Sequence, residues 1–184
     1  MGKSTAAAAF RRAHIPVFDA DAAVHALQAP GGLALPAIGR AFPGTVTDNR
    51  LDRSKLRSAV LGDPAALKRL ERILHPLVRR MEQRFLAQAR SAGRRAAVLD
   101  IPLLLETGGE KRVDLIVVVS APRAVQVHRV RQRGKMSTEQ IEAVIERQMA
   151  DHEKRRRADI VVRTGLSRHH AGRALRRLIL DILT

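Results

Sequence analysis

Short runs of β-branched and other apolar residues alternate along this chain with longer stretches whose apolar residues recur at helical spacing. This alternation is typical of an α/β fold built on a parallel sheet. The run Leu115–Val119 is apolar at every position, as expected of a strand covered by helices on both faces. Residues 168–183 are predicted to form an amphipathic packing helix. The predicted strands are Ile15–Phe18, Ala96–Asp100, Asp114–Ser120 and Ile160–Val162.

The stretch between the first two predicted strands, from Asp21 to Arg95, is roughly seventy-five residues long, too long for a single crossover. It contains several helical patterns and is predicted to be a helical insert. Pro64 stands where a helix can begin, and His75-Pro76 predicts a break before a second helix that continues to about Ala92. The residues predicted to share a face of the first helix are Leu67, Leu70, Ile73 and Leu74.

Composition limits the class of protein. With 184 residues, 45% of them hydrophobic, the chain can bury an ordinary core, and it has no cysteine for a disulfide or a thiolate-bound zinc. The sequence has no stretch of ~18 apolar residues, and Met1 is followed by Gly2-Lys3-Ser4 rather than by an apolar run, so we expect a soluble cytoplasmic protein.

Positive charge dominates, with 34 Lys and Arg against 18 Asp and Glu and a net charge of +16. Such a field attracts anions, either nucleic acid or small phosphorylated ligands. An aromatic content of 2% leaves few surfaces for stacking bases, which argues against nucleic acid. Arginines on solvated helix faces would account equally well for much of the charge.

The first residues carry the clearest chemical motif. Gly2-Lys3-Ser4-Thr5 matches the second half of the phosphate-loop pattern G-x-x-x-x-G-K-[ST] and runs directly into a helical segment. In a complete loop, backbone N–H groups at the helix start hold the phosphates of ATP, the lysine neutralises the transferring group, and the first hydroxyl binds Mg²⁺. Lys3 and Ser4 are the candidates for these roles. A solvated, frayed chain start is the alternative interpretation of the same residues.

Carboxylates follow two of the predicted strands. Asp19 and Asp21 end the first strand and Asp100 ends the second, at the edge where parallel sheets place their ligand crevice. A carboxylate there can accept the proton of an attacking hydroxyl, and an acidic group near Mg²⁺ is common in phosphate-loop enzymes. Asp19 and Asp21 would serve equally well as caps of the following helix.

Several motifs in order resemble those of the dephospho-coenzyme A kinase family over essentially the whole chain. They are G-K-S-T, I-P-V-F-D-A-D-A-A-V-H, H-P-L-V in the insert, D-I-P-L-L-L-E, an arginine-rich segment and A-D-I-V-V-x-x-G. The resemblance implies a three-layer P-loop NTPase fold. It also implies transfer of the ATP γ-phosphate to the 3′-hydroxyl of the dephospho-coenzyme A ribose, the last step of coenzyme A synthesis.

The resemblance also implies roles for individual residues. Asp21 is the expected catalytic base, with Lys3 at the phosphates and Asp19 arranging substrate and Mg²⁺. Gly2, Lys3, Ser4 and Thr5 form the ATP-binding loop. The other residues expected near the dephospho-coenzyme A substrate are His75, Asp100, Pro102 and Glu106.

The expected organisation is a single kinase domain, residues 1–184, with a coenzyme A-binding helical insert at 22–95 and an arginine-rich lid at 126–157. In the lid, Arg129 and Arg133 lie four residues apart, share a helix face and are expected to bind phosphates. The nearby run 154–157 is interpreted as a solvated charged face.

The chain departs from the family pattern in two places. The loop pattern needs five residues before Gly2 and only Met1 is present, so the first glycine and the strand ahead of it are absent. We expect a start assigned inside the loop: the DNA upstream should encode an apolar strand and a glycine-rich turn, and an in-frame stop directly upstream would contradict this. Arg163-Thr164-Gly165 has threonine where the family usually has asparagine, which leaves the adenine contacts open. The alternatives to the kinase are another small-molecule or nucleotide kinase, an inactive truncated remnant and a basic nucleic-acid-binding protein.

Overall fold

The computed structural model describes residues 2–132, 149–165 and 167–184. The described chain forms two compact units, one of residues 18–99 and one of residues 1–17 and 100–184. The helices are α1 (Lys3–Arg12), α2 (Ala20–Leu27), α3 (Leu35–Ala41), α4 (Arg53–Val60), α5 (Pro64–Ser91), α6 (Arg123–Arg131), α7 (Asp151–Arg156) and α8 (Arg168–Leu183), with a 3₁₀ turn at Gly109–Arg112. The strands are β1 (Val17–Asp19), β2 (Val46–Thr47), β3 (Arg50–Leu51), β4 (Val98–Asp100), β5 (Val117–Ser120) and β6 (Ile160–Arg163).

The unit of residues 18–99 packs α2, α3 and α4 against the long helix α5. Aspartates cap three of these helices: the side chains of Asp52 and Asp63 each accept two backbone N–H groups of the first turn, and that of Asp19 accepts one. Strands β2 and β3 form a hairpin whose two-residue loop, Asp48-Asn49, is left-handed at both positions. One buried hydrophobic cluster of the unit consists of Leu27, Ala34, Ile38, Phe42, Leu56, Ala66, Leu70 and Leu74.

Helix α5 runs without interruption through Pro76, so the predicted break at His75-Pro76 is wrong. A proline inside a helix removes one backbone hydrogen bond and costs about 3 kcal/mol. Here Leu70 and Leu74 before the proline, and Leu77 and Val78 after it, pack on the same core, which holds both halves in one helix. Leu67, predicted on the buried face, is 39% exposed.

The second unit contains the parallel pair β5–β6, in which Val118 lies beside Val161 and Ser120 beside Arg163. Side chains alternate between the faces of a strand, so these four residues share one face of the pair. The opposite face includes Val162, which is buried, and α8 contacts β6 and α1. The predicted amphipathic helix is confirmed, because Leu175, Leu178 and Ile179 are buried on α8.

All four predicted strands exist, although Leu115 and Ile116 precede β5 and Leu115 is exposed. In the described residues, β1 pairs with β4 and β5 with β6, and these are separate two-stranded sheets. The strand expected ahead of the phosphate loop stays a prediction. The predicted insert, residues 22–95, falls within the unit of residues 18–99, and its assignment as a coenzyme A lobe is taken up below. None of the helices in the described ranges has the length and hydropathy that a membrane span needs.

Candidate active site

The start of α1 has the geometry of a phosphate-binding helix N-terminus. Gly2 caps the helix with φ 101°, and its carbonyl accepts the N–H of Ala6 at 3.0 Å. No side chain caps this end in the described chain, so the first-turn N–H groups point out of the helix, where an anion can bind them. Ser4 and Thr5 are exposed in the same turn.

Position 2 requires glycine for two independent reasons. Its φ lies in the region that side chains disfavour, and a Cβ atom there would lie only 3.1 Å from Cγ2 of Thr164. A side chain at position 2 would therefore both strain the backbone and crowd Thr164 at the end of β6. Thr164 belongs to the stretch where the chain departs from the family pattern.

Lys3 and Asp100 meet in an ion pair of 2.8 Å between Nζ and Oδ1. Asp100 is the last residue of β4 and its side chain is only 9% exposed, whereas that of Lys3 is 39% exposed. An ammonium group has three N–H donors, so Lys3 can hold Asp100 and still bind phosphate oxygens. The structure thus brings together two of the predicted site residues from distant parts of the sequence.

Arg129, on α6, is held against the end of β6. Its guanidinium donates to the carbonyl of Thr164 at 2.8 Å and to the Thr164 hydroxyl at 3.3 Å. That hydroxyl donates in turn to the carbonyl of Ser120 at 3.1 Å, and the N–H of Thr164 donates to the same carbonyl at 2.8 Å. Thr164 therefore binds Arg129 and lies close to the glycine of the loop, a role that the sequence motifs did not indicate.

Asp19 and Asp21 lie in the other unit, at the start of α2. Asp19 is the N-cap and its Oδ1 accepts the N–H of Ala22 at 2.9 Å, so the capping interpretation is confirmed for this residue. Asp21 is in the first turn with its side chain exposed, and it has no hydrogen bond or ion pair within the described residues. Of the two carboxylates, Asp21 is the one that can accept a proton without breaking a contact of the fold.

The other predicted residues are spread over both units. His75 is exposed on α5, Pro102 is half-buried in the turns that follow β4, and Arg133 lies outside the described residues.

Glu106 is bound by Lys154 of α7 and by Met149, two residues before that helix. Lys154 Nζ lies 2.7 Å from Oε1, and the N–H of Met149 donates to the same oxygen at 3.1 Å. Burial works to raise the pKa of Glu106, but the Lys154 hydrogen bond and charge, with backbone N–H groups, outweigh it and hold the pKa below the usual 4.5. Lys154 is 12% exposed, so its assignment to a solvated face is wrong.

Lys154 is one of three charged residues on the inner side of α7 and its C-terminal end. Asp151 accepts the hydroxyl of Ser120 at 2.7 Å, and Arg157 pairs with Glu110. Positions 151, 154 and 157 are three apart and share a helix face. The spacing of these three residues is visible in the sequence, but the basic residues around them led to the prediction of a solvated surface.

Oxygen donors for a metal are present at the loop. The Ser4 hydroxyl and the Asp100 carboxylate are hard ligands of the kind that Mg²⁺ takes together with nucleotide phosphates. In the described part of the chain no group of three His, Asp or Glu could hold a metal unaided. A metal bound here would therefore share its coordination with phosphate oxygens.

Comparisons with known proteins agree with this geometry. The family model CoaE, dephospho-CoA kinase, matches residues 1–168. A dephospho-CoA kinase of Gluconobacter oxydans is 56% identical over 182 residues, which cover 97% of this chain and 90% of that protein.

Solved structures give the same result for the fold. A crystal structure from Thermus thermophilus matches with a TM-score of 0.86 and 35% identity, covering 100% of this chain and 92% of that one. A dephospho-CoA kinase from Campylobacter jejuni, with a TM-score of 0.73, 24% identity and coverage of 98% and 91%, shares the fold. The predicted P-loop kinase fold is confirmed. The predicted enzyme class, an ATP-dependent kinase of coenzyme A biosynthesis, is confirmed with it, and the chain belongs to the dephospho-CoA kinase family.

Proposed function

We propose that this chain transfers the γ-phosphate of ATP to the 3′-hydroxyl of the dephospho-CoA ribose. The observation that carries the proposal is the N-terminus of α1, which has no side-chain cap and where the Lys3 side chain forms an ion pair of 2.8 Å with Asp100. A lysine so held presents its remaining N–H donors beside the first-turn N–H groups, which is a phosphate-binding arrangement. The compartment we propose is the cytoplasm, where ATP is regenerated.

The ATP side of the site is formed by α1 and α6. The N–H groups of Gly2 to Thr5 bind phosphate oxygens, and Lys3 neutralises charge on the transferring group. Arg129 stabilises the charge that accumulates on the leaving β-phosphate, and Arg133 joins it from the proposed lid, residues 126–157. Thr164 limits where the Arg129 guanidinium can lie.

The acceptor side is formed by the helical insert, residues 22–95, which we propose binds the coenzyme A moiety. The Asp21 carboxylate takes the proton of the 3′-hydroxyl as its oxygen bonds to the γ-phosphorus. The bond from that phosphorus to the bridging oxygen breaks, and its electron pair leaves with ADP. Asp19 orients the start of α2, and the proposed substrate contacts are His75, Asp100, Pro102 and Glu106.

Mg²⁺ fits the oxygen donors at the loop. Ser4 and Asp100 are the residues that would hold it, and the ion when bound neutralises phosphate charge. Lys3 forms an ion pair with Asp100 in the structure and so places a positive charge between this carboxylate and the proposed phosphate site.

The test measures ADP release and the phosphorylated product with dephospho-CoA, and with adenosine, AMP and other nucleosides as competing acceptors. Turnover confined to dephospho-CoA supports the proposal, and preference for another acceptor overturns it. The assay is run on this chain and on a version extended by an apolar strand and a glycine-rich turn, which together complete the phosphate-loop pattern. If neither form phosphorylated any acceptor, the chain would be an inactive remnant.

Asp21→Asn tests the proposed base. It should lower kcat by about 100-fold or more and leave the KM for ATP within about threefold, because general-base catalysis contributes on that scale. Asp48→Asn is the matched control: Asp48 is also exposed in the same unit, and asparagine suits its left-handed turn. An Asp21→Asn variant as active as the control would remove Asp21 from the mechanism.

A further inference from the structure

An open cleft with a volume of about 360 Å³ lies between α7 and β6. It is lined by His152, Arg155, Arg156, Val161 and Arg163. His152, Arg155 and Arg156 lie within the proposed lid, residues 126–157, but none of the five residues belongs to the loop, the base or the substrate contacts proposed above. Four of these five side chains are basic, and none of the described residues that line the cleft is a carboxylate.

Helix and strand geometry explain why these residues converge. His152 and Arg156 are four apart on α7 and Arg155 is three from His152, so they share the outer helix face. Val161 and Arg163 share a strand face with Ser120, and Ser120 binds Asp151 of α7. Helix α7 therefore lies over the strand face that carries Arg163, and its outer arginines border that residue.

The two sides of α7 differ in charge pairing. On the inner side, Asp151, Lys154 and Arg157 each have a polar partner. On the outer side, the guanidinium groups of Arg155 and Arg156 have neither ion pair nor hydrogen bond among the described residues, and the same holds for the guanidinium of Arg163. Their cationic charges are thus uncompensated around one small cavity.

We propose that this cleft binds a small ligand carrying two or more adjacent phosphate groups. Guanidinium groups bind phosphate oxygens through paired N–H donors. Three guanidinium groups offer more positive charge and more donors than a ligand with a single carboxylate can use, which favours a ligand with several phosphates. The small volume favours a short oligophosphate over a polymer, and Val161 offers a narrow apolar floor. The cleft is separate from the phosphate loop, since Arg163 faces away from Val162 on the strand while Thr164, one residue further on, contacts Gly2.

The test titrates inorganic tripolyphosphate into the full chain and follows the His152 imidazole by proton NMR, the resonance being assigned with His152→Gln. Lys3→Ala is titrated in parallel to remove binding at the loop. The His152 resonance should shift saturably in both proteins. Neutralising the cleft with Arg155→Gln, Arg156→Gln and Arg163→Gln together should weaken this binding at least ~10-fold.

The matched control removes three exposed arginines of α8 instead: Arg173→Gln, Arg176→Gln and Arg177→Gln. It lowers the net charge equally and should change the dissociation constant by less than ~2-fold, because screened charges outside the cleft contribute little. Equal weakening in both triple variants, or an unmoved His152 resonance, would overturn the proposal. Tighter cleft-dependent binding of a single-stranded oligonucleotide would also overturn it, in favour of nucleic acid. Circular dichroism checks folding, and Arg163→Gln alone replaces the cleft triple if that variant unfolds.

Discussion

Removing the charge of Glu106 tests whether the ion pair with Lys154 holds α7 in place. Glu106→Gln keeps the shape of the side chain and an oxygen that can accept the N–H of Met149, but it leaves the Lys154 ammonium without a counter-charge. Lys154→Met is the complementary change, because it keeps most of the aliphatic stem. The two variants and their combination form a double-mutant cycle.

The loss of stability expected in each variant follows from the distance between the two charges and from their burial. At 2.7 Å the attraction between the two charges is about 6 kcal/mol for an effective dielectric constant of ~20, and desolvation of the ions offsets several kcal/mol. Fully buried pairs lose ~3–5 kcal/mol when one partner is removed. Because Lys154 and Glu106 are 12% and 17% exposed, we expect about 2 kcal/mol for each single variant. The double variant should also lose about 2 rather than 4 kcal/mol, since it strands neither charge.

The pH dependence gives an independent check. The pKa of Glu106 is lower in the folded chain than the ordinary value of 4.5, so its contribution to stability is complete above that pH. It is lost as the pH falls through the folded pKa. The advantage of the unsubstituted chain over Glu106→Gln should therefore be largest near neutral pH and shrink below pH 4.5.

Urea denaturation followed by circular dichroism measures all four proteins, and KM for dephospho-CoA is measured on each. Additivity of the two single effects within about 0.5 kcal/mol would refute the pairing argument. A raised KM in Glu106→Gln that Lys154→Met does not share would assign Glu106 to substrate contact. The same shift in both variants would follow from displacement of α7.

Two further variants test the nucleotide side of the site. Thr164→Val removes the hydroxyl that binds both Arg129 and the carbonyl of Ser120. We expect the KM for ATP to rise ~3–10-fold with kcat less affected, and Thr164→Ser to restore the KM. Steady-state kinetics at saturating dephospho-CoA measure both constants, and a valine variant with the KM of the unsubstituted chain would contradict the reasoning. Gly2→Ala places a Cβ on a residue with φ 101°, only 3.1 Å from Thr164, and so strains the backbone of the loop. Calorimetry should show the affinity for ATP reduced ~10-fold or more. An undiminished affinity would exclude the loop as the phosphate site.

Local patterns predicted the elements of this fold well. Each β-branched run became a strand, and α8 buries its predicted apolar stripe, because such signals depend on periods that secondary structure imposes directly. The break at Pro76 failed for the opposite reason. The cost of the proline is local, but the packing on either side of it that offsets the cost comes from the rest of the insert.

Contacts between residues distant in the sequence also fall into two groups, those that a motif predicted and those that depend on tertiary packing. Lys3 and Asp100 could be expected near each other because each follows a motif with a known place at the end of a parallel sheet. Thr164 and Lys154 carry no such motif, and their partners, Arg129 and Glu106, are set by how α6 and α7 pack. Only the folded chain shows these contacts.

The basic run 154–157 has two roles in the structure, which its interpretation as a solvated face did not separate. The basic run 154–157 was expected to be a solvated face, yet the structure divides residues 151–157 between two sides of one helix. Lys154 and Arg157 neutralise buried or half-buried glutamates and thereby fix α7, which leaves the charges of Arg155 and Arg156 to act outward. Since the inner pairs set the position of the helix, they also set the spacing of the outer arginines from Arg163. Any ligand of the cleft therefore depends on Glu106 and Glu110, although neither glutamate contacts it.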